Sequence, residues 1–209
     1  MAVFHDSAFG TLVHAELKRN APTYGIEIIA AEKFEQGATD ATPQAAKIKA
    51  AQPDTVAVIG NSAVPYRDLR RLLVMQPIIG AATAASYEAV NAMGTAADNI
   101  VLPEYMVAEY PTPRQKPFVD MYQKEYNALP KGPAMIGWDA IQIAAELARR
   151  TGPGASGEKL CGAIRNKFPG VSYEYDFAAD DLNGLKASQI VFSRLVKGKF
   201  EPVDVKIVD

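Results

Sequence analysis

Cysteine and histidine are nearly missing from this sequence, and their scarcity excludes two kinds of cross-link. Cys161 is the only cysteine among 209 residues, so no intramolecular disulfide can form. With one cysteine and two histidines, the chain lacks the ligands of a structural zinc site. Cys161 lies in the apolar stretch 160–164, and we expect it to be a small core residue rather than a nucleophile.

The sequence also has no excess of basic residues and no long apolar run. Lys and Arg total 22 against 24 Asp and Glu, giving a net charge of -2, whereas nucleic-acid binding needs clustered basic residues. No apolar run approaches the roughly 18 residues of a membrane-spanning helix. The first residues lack the basic and apolar regions of a signal peptide. We therefore predict no nucleic-acid partner, no membrane span and no signal peptide in this chain.

Motifs of nucleotide binding and nucleophilic catalysis are missing as well. The turn after the first predicted strand contains a single glycine, Gly10, whereas phosphate loops need several. No nucleophile elbow is present. His5 and Asp6 lie at the end of that strand, and we expect them to order the loop through hydrogen bonds. We predict that the protein is not an enzyme and has no catalytic residue, metal or cofactor; a hydrolase using His5 and Asp6 is the alternative.

What the sequence does contain is a regular alternation of strands and helices over its first hundred residues. Short apolar runs, typical of strands buried on both faces, predict strands at residues 2–5, 26–30, 55–59, 77–80 and 99–102. Helix-like segments follow the first four strands, with start signals such as Thr42-Pro43. Right-handed crossovers then predict an α/β fold with a Rossmann-like parallel sheet.

The pattern changes at Pro103, where a proline-rich stretch up to Pro117 predicts a linker. Helices without intervening strands follow, and strands return near the end, the last two as a hairpin around Lys197-Gly198. The predicted helices cover residues 117–126, 134–150 and about 157–167, and the predicted strands cover residues 171–177, 188–196 and 200–208. This order predicts one α/β lobe with an inserted helical segment that belongs to a second lobe.

Polar and aromatic side chains follow three of the predicted strands. The carboxyl ends of parallel strands meet at one edge of an open α/β sheet, where such folds bind ligands. An aromatic ring for stacking, hydroxyls and an amide for orientation suit a small organic ligand. We therefore predict a ligand-binding half-site at five residues: Ser7, Phe9, Asn61, Ala82 and Thr83.

Several short stretches occur in a characteristic order. They are His5-Asp6 with Phe9-Gly10, the Gly-Ala-Thr-Asp of residues 37–40, residues 48–56, Trp138-Asp139-Ala140, and Asn183-Gly184 with residues 196–200. In this order the sequence resembles the branched-chain-amino-acid-type solute-binding proteins of ABC transporters, which have the type I periplasmic binding fold. The resemblance covers essentially all 209 residues, and the joint order is more specific than any single stretch.

The resemblance implies a division into lobes. Residues 1–102 and 171–209 would form the carboxy-terminal lobe. Residues 103–170 would contain the hinge crossings and the helical segment of the amino-terminal lobe, whose remainder we expect to be absent. Hinges near residues 102–105 and 168–171 would close the lobes over a small molecule. A transporter permease as partner and a periplasmic location are implied too; a ligand-sensing regulatory domain of the same fold is the alternative.

The resemblance also bears on the ligand. Phe9 takes the position of the family's tyrosine in Tyr-Gly and keeps the ring without the hydroxyl. Ala82 takes the position at which amino-acid binders carry an acidic residue that pairs with the ligand's ammonium. Because Ala82 has no carboxylate, an aromatic or aliphatic acid, or another ligand with an uncharged nitrogen, is favoured over a free α-amino acid.

The two longer helices carry large apolar side chains that the predicted sheet does not cover. We expect five of them to be exposed together: Phe118, Tyr122, Trp138, Ile141 and Leu147. Burying one such side chain contributes about 1.5–3 kcal/mol, and monomers rarely expose patches above a few hundred Å². We therefore expect a homodimer formed through these helices, and weak or absent ligand binding by this chain.

Overall fold

A computed structural model describes residues 1–6, 9–178 and 183–205, and the chain divides into two units. The first unit comprises Met1–Pro103 and Phe192–Val203. The second comprises Glu104–Val191 and, after Val203, the described residues 204–205. The chain therefore leaves the first unit after Pro103, returns to it after Val191 and leaves it again after Val203.

The first unit is built around a mostly parallel seven-stranded sheet. The strands of the described residues are β1 (Ala2–Asp6), β2 (Ala30–Phe34), β3 (Val56–Ile59), β4 (Ile78–Gly80), β5 (Ile100–Glu104), β6 (Lys167–Pro169), β7 (Glu174–Asp176), β8 (Val191–Val196) and β9 (Lys199–Val203). The sheet has the order β2-β1-β3-β4-β5-β8-β9. Strands β1 to β5 pair in parallel, and β8 and β9 form an antiparallel hairpin. The predicted α/β fold with a Rossmann-like parallel sheet is confirmed.

Local signals explain where the helices begin. Proline lies in the first turn of four helices, where its missing N–H costs no hydrogen bond. The Ser86 hydroxyl accepts a hydrogen bond from the Ala89 N–H and caps another helix, as its position predicts. The helices are α1 (Phe9–Asn20), α2 (Thr42–Ala50), α3 (Val64–Arg71), α4 (Tyr87–Met93), α5 (Lys116–Tyr126), α6 (Gly132–Thr151) and α7 (Gly157–Ile164).

The sequence pattern predicts the central strands of the sheet correctly but misplaces its edge strand. Every residue of β1 and β3 is buried, as apolar runs predict for strands covered on both faces. The strand predicted at residues 26–30 is wrong, since β2 begins at Ala30. As the edge strand of the sheet, β2 alternates half-buried and exposed residues and does not read as an apolar run.

The second unit has a core of its own. Met106 and Ala108 are buried there, so the predicted linker before α5 is instead part of a packed unit. Phe118 is buried beside them, and Tyr122 and Leu147 pack against the same cluster, so the expected exposure of these three side chains is wrong. Trp138 and Ile141 are exposed, as expected.

The predicted boundary near residues 168–171 falls inside the second unit. Strand β6 pairs antiparallel with β7, and Phe168 is buried in the core cluster. Helix α7 therefore ends at Ile164, before the predicted residue 167. Residues 171–191, which the resemblance assigns to the carboxy-terminal lobe, lie in the second unit, and the chain returns to the first unit only after Val191.

Within the second unit, Asp139 joins the β6–β7 hairpin to α6. Its carboxylate accepts hydrogen bonds from the Val171 N–H (2.9 Å) and the Tyr175 hydroxyl (3.0 Å). Burial raises the pKa of Asp139, and both hydrogen bonds counteract that shift. Cys161 on the neighbouring α7 is exposed, so the expectation of a core cysteine is wrong.

No helix of the described residues is long and apolar enough to cross a membrane. The same residues contain no group of three His, Cys, Asp or Glu side chains that could hold a metal ion.

Gly80 in β4 provides a test of packing in the first unit. A Cβ atom at Gly80 would lie 2.5 Å from the Tyr66 hydroxyl oxygen and 2.5 Å from Leu102 Cδ2. We expect Gly80→Ala to lower the free energy of unfolding by about 1–3 kcal/mol, because overpacking forces neighbours to move. Urea unfolding measures this change. The control is Gly162→Ala in α7, where an added Cβ atom would meet no neighbouring side chain or distant backbone atom within 4 Å. An unchanged stability of Gly80→Ala would contradict the packing described.

His14 on α1 provides a test of pH dependence. Its ring stacks on that of His5 with centroids 4.8 Å apart. Partial burial lowers the pKa of His14 below 6.5, and the charges of His5 and Lys18 act in the same direction. As the pH falls, the unfolded chain therefore binds this proton first. The stability from neutral His14 is fully present above pH 6.5 and is lost as the pH falls through the lowered value.

We expect the wild-type protein to lose more unfolding free energy than His14→Gln when the pH is lowered from about 7.5 to about 5.5. Urea unfolding at each pH measures both losses, and His14→Gln controls for every other titrating group. Equal losses in the two proteins would show that His14 does not contribute.

Candidate functional site

Three neighbouring parallel strands end at one edge of the sheet of the first unit. In their register, His5 of β1 lies beside Ile59 of β3, and Val58 of β3 lies beside Gly80 of β4. Because paired strands are about 4.8 Å apart, the turns that follow them are also neighbours. We call the residues Phe9, Asn61, Ala82 and Thr83, which follow these three strands, the strand-end edge.

The side chains of the strand-end edge are accessible. Phe9, at the first position of α1, is 49% exposed, and Asn61, Ala82 and Thr83 are exposed as well. Of the five residues predicted to bind ligand, the structure thus brings four to one edge of the sheet. The fifth, Ser7, lies outside the described residues. Their role in binding stays a prediction.

A hydrogen bond joins two turns of the strand-end edge. The Thr83 hydroxyl donates to the Gly60 carbonyl oxygen at 3.2 Å, which ties the turn after β4 to the turn after β3. A hydroxyl that donates one hydrogen bond still has lone pairs that can accept another. Thr83 can therefore hold the edge together and also accept a hydrogen bond from a ligand.

The carboxylate of Asp6 contacts the turns that follow β1 and β3. It is buried, and its Oδ1 atom accepts a hydrogen bond of 2.6 Å from the Gly10 N–H at the start of α1. A Cβ atom at Gly10 would lie 2.8 Å from that oxygen and 3.0 Å from the Ile59 carbonyl oxygen. A Cβ atom at Gly60 would lie 3.1 Å from Asp6 Oδ2. Side chains at both positions are therefore disfavoured by the close approach of the Asp6 carboxylate.

The predicted loop-ordering role of His5 and Asp6 agrees with these contacts. Asp6 caps α1, and the His5 Nδ1 atom lies 2.8 Å from the Asp6 carbonyl oxygen. Both side chains are buried, so the pair does not present an acid or base at the surface of the strand-end edge. This geometry gives the hydrolase alternative no support.

Tyr66 on α3 supports the same edge and was missed by sequence reasoning. It is fully buried, its hydroxyl oxygen lies 3.5 Å from the Val58 carbonyl oxygen, and burial raises its pKa. The ring lies against Gly80, the last residue of β4 before the turn to Ala82. An isolated glycine in a predicted strand signals a close approach, so Gly80 could have indicated such a neighbour.

The arrangement suits an uncharged or anionic organic molecule. The four residues of the strand-end edge carry no formal charge. The ring of Phe9 offers an apolar surface for stacking, and the Asn61 amide and Thr83 hydroxyl offer donors and acceptors. Helix α1 begins at this edge, where its dipole favours negative charge.

Comparisons with known proteins extend over most of the chain. A family described as "Periplasmic binding protein" matches residues 1–191. No curated protein sequence matches.

Solved structures resemble almost the whole chain. An extracellular ligand-binding receptor from Rhodopseudomonas palustris is 22% identical with a TM-score of 0.85, and the alignment covers 97% of this chain and 63% of the receptor. A leucine binding protein, LivK, from Thermotoga maritima is 19% identical with a TM-score of 0.83, covering 98% and 60%. LivJ from Streptococcus pneumoniae, a branched-chain amino acid transporter substrate binding protein in complex with isoleucine, is 24% identical with a TM-score of 0.83, covering 99% and 60%.

These likenesses show the fold, and the chain spans 60% to 63% of the length of the three solved structures. The family match covers far more than half of the sequence and includes all three turns of the strand-end edge. This chain belongs to the periplasmic binding protein family.

Proposed function

We propose that this chain is part of the solute-binding component of an ABC transporter of the branched-chain amino acid type. Family membership supports a solute-binding role, and the neighbouring turns with Phe9, Asn61 and Thr83 supply a surface for a small ligand. In the wider proposal, two lobes close over the solute, a permease receives it, and the protein acts in the periplasm. The observation that carries the proposal is the exposed Phe9 ring beside the polar turns.

Each residue of the half-site has a proposed role. The Phe9 ring packs against the apolar part of the solute. The Asn61 amide orients its polar group, and the Thr83 hydroxyl accepts or donates one hydrogen bond. Ser7 adds a second hydroxyl, and Ala82 leaves room beside the ligand.

The ligand class follows from charge. LivJ was solved with isoleucine, a ligand that carries an ammonium group. In this chain Ala82 places a methyl group where an amino-acid binder would need a carboxylate. An ammonium that loses water without gaining an anionic partner is penalised. We therefore propose a small aromatic or aliphatic carboxylic acid as the ligand.

A matched pair of ligands tests this ligand class. L-Leucine and 4-methylpentanoate share the same carbon skeleton and carboxylate and differ in the ammonium group. We expect the wild-type chain to prefer 4-methylpentanoate. Ala82→Glu should shift the ratio of the two dissociation constants towards L-leucine by about tenfold or more, because a charge-assisted hydrogen bond contributes about 1.5–3 kcal/mol. Isothermal titration at high protein concentration measures both constants.

The control for this experiment is Ala92→Glu, which adds the same charge at an exposed position of α4. It should leave the ratio unchanged. If Ala82→Glu and Ala92→Glu behave alike, Ala82 is not at the ligand site. If Phe9→Ala also leaves both affinities unchanged, the half-site itself is wrongly placed.

The second unit presents an apolar surface on α6. Trp138 is 40% exposed and Ile141 is 67% exposed. Small apolar residues of the same helix are exposed beside them: Gly137, Ala140, Ala144, Ala145 and Ala148. We call these seven residues the α6 face. An apolar helix face of this kind normally packs against another element.

We propose that a second copy of this chain covers the α6 face. Small residues let two helices approach closely, and Trp138 and Ile141 supply the apolar area to be buried. A two-fold axis would place the same face of both copies in contact.

Light scattering tests the homodimer. We expect the wild-type chain to have the mass of a dimer and Trp138→Asp to have the mass of a monomer, because a buried carboxylate without a partner costs several kcal/mol. Ala92→Asp on α4 is the control and should stay dimeric. A wild-type chain that is monomeric at micromolar concentration would contradict the proposal.

A further inference from the structure

A pocket of about 610 Å³ opens at the amino ends of β4 and β5. These strand ends lie at the edge of the sheet opposite the strand-end edge, so the pocket is separate from the proposed solute site. Its walls are the second half of α3, the chain before β4 and the turn between α4 and β5. The volume lies within the range of small-molecule sites.

Three guanidinium groups line this pocket, those of Arg67, Arg70 and Arg71. Arg70 and Arg71 lie three and four residues after Arg67 on α3. Residues at this spacing share one face of a helix, so all three side chains reach the same pocket. The chain as a whole has a net charge of -2, so this concentration of positive charge is local.

Arg71 is the neutralised member of the three. Its Nη2 atom lies 3.1 Å from an Asp68 carboxylate oxygen and 3.2 Å from an Asp40 carboxylate oxygen. These contacts hold the guanidinium in place. These two carboxylates therefore largely neutralise its positive charge.

Arg70 is held differently. Its Nη1 atom donates to the carbonyl oxygens of Val74 (2.5 Å) and Gln76 (3.2 Å), which are neutral acceptors. The side chain is half-buried, and this burial lowers the pKa of Arg70. Within the described ranges, neither Arg70 nor Arg67 has a carboxylate oxygen within 4.0 Å. The pocket thus holds one positioned guanidinium and one exposed guanidinium without anionic partners.

One acidic residue, Asp98, also lines the pocket. Its Oδ1 atom accepts a hydrogen bond of 3.0 Å from the Lys197 N–H, so this oxygen is directed towards the β8–β9 hairpin. Asn99, which follows it, adds an exposed amide to the lining, and Met75 adds an exposed apolar side chain.

We propose that this pocket binds a small organic phosphomonoester. Arg67 and Arg70 bind the phosphate oxygens, for which the planar fork of a guanidinium is suited. The Asn99 amide donates a further hydrogen bond, and Met75 packs against the organic group. A dianion matches the two guanidinium groups that lack carboxylate partners.

Isothermal titration of the chain with phenyl phosphate and with inorganic phosphate tests this site, each at constant ionic strength set with sodium chloride. We expect both to bind, phenyl phosphate more tightly because of its apolar group. Arg67→Gln removes an exposed side chain and should weaken both affinities about tenfold or more, since charge-assisted hydrogen bonds contribute strongly.

Arg19→Gln is the matched control, because Arg19 is an exposed arginine of α1 that pairs with Glu16 and does not line the pocket. It should leave phosphate binding unchanged. Arg70→Lys keeps the charge but loses the fork, and should weaken binding while the far-ultraviolet circular dichroism stays that of the wild type. Failure of both ligands to bind at millimolar concentration, or equal weakening by Arg19→Gln and Arg67→Gln, would overturn the proposal. Binding of L-leucine or 4-methylpentanoate is measured separately and does not bear on it.

Discussion

The buried carboxylate of Asp6 constrains the whole strand-end edge. It accepts a hydrogen bond from the Gly10 N–H in the first turn of α1 and leaves no room for a side chain there, so helix and sheet approach closely. Gly60, at the end of the neighbouring strand, meets the other oxygen of the same carboxylate. From Gly60 the Thr83 hydroxyl extends the link to the next turn. One buried acid thus sets where α1 begins, how near its first residue Phe9 stands to β3, and where the polar turns lie.

Much of the fold could be predicted from the sequence because central parallel strands are buried on both faces. The apolar runs of β1 and β3 locate these strands within a residue or two. The edge strand β2 could not be located in this way, because two of its five residues are exposed and its sequence is not an apolar run. In the second unit, Phe118 and Phe168 become core residues through contacts between segments far apart in sequence, which no local pattern encodes.

The location of the candidate site could be predicted from the sequence, but the contacts that support its turns could not. Strand ends indicate where Phe9, Asn61 and Thr83 lie, since parallel strands end at a common edge. The supporting contacts of Tyr66 beneath Gly80 depend on the packing of α3 against the sheet. The arginine pocket could not be predicted from the sequence, because spacing alone does not show which guanidinium groups have carboxylate partners.

The central claim is that the strand-end edge binds a small organic acid. Two-dimensional amide NMR spectra of the chain, recorded during addition of 4-methylpentanoate or 3-phenylpropanoate, test it most directly and detect millimolar binding. The account predicts that the amide signals of residues 9–11, 60–62 and 81–84 shift together along one saturation curve. Saturable shifts confined to other residues, or no shift with either acid, would contradict it.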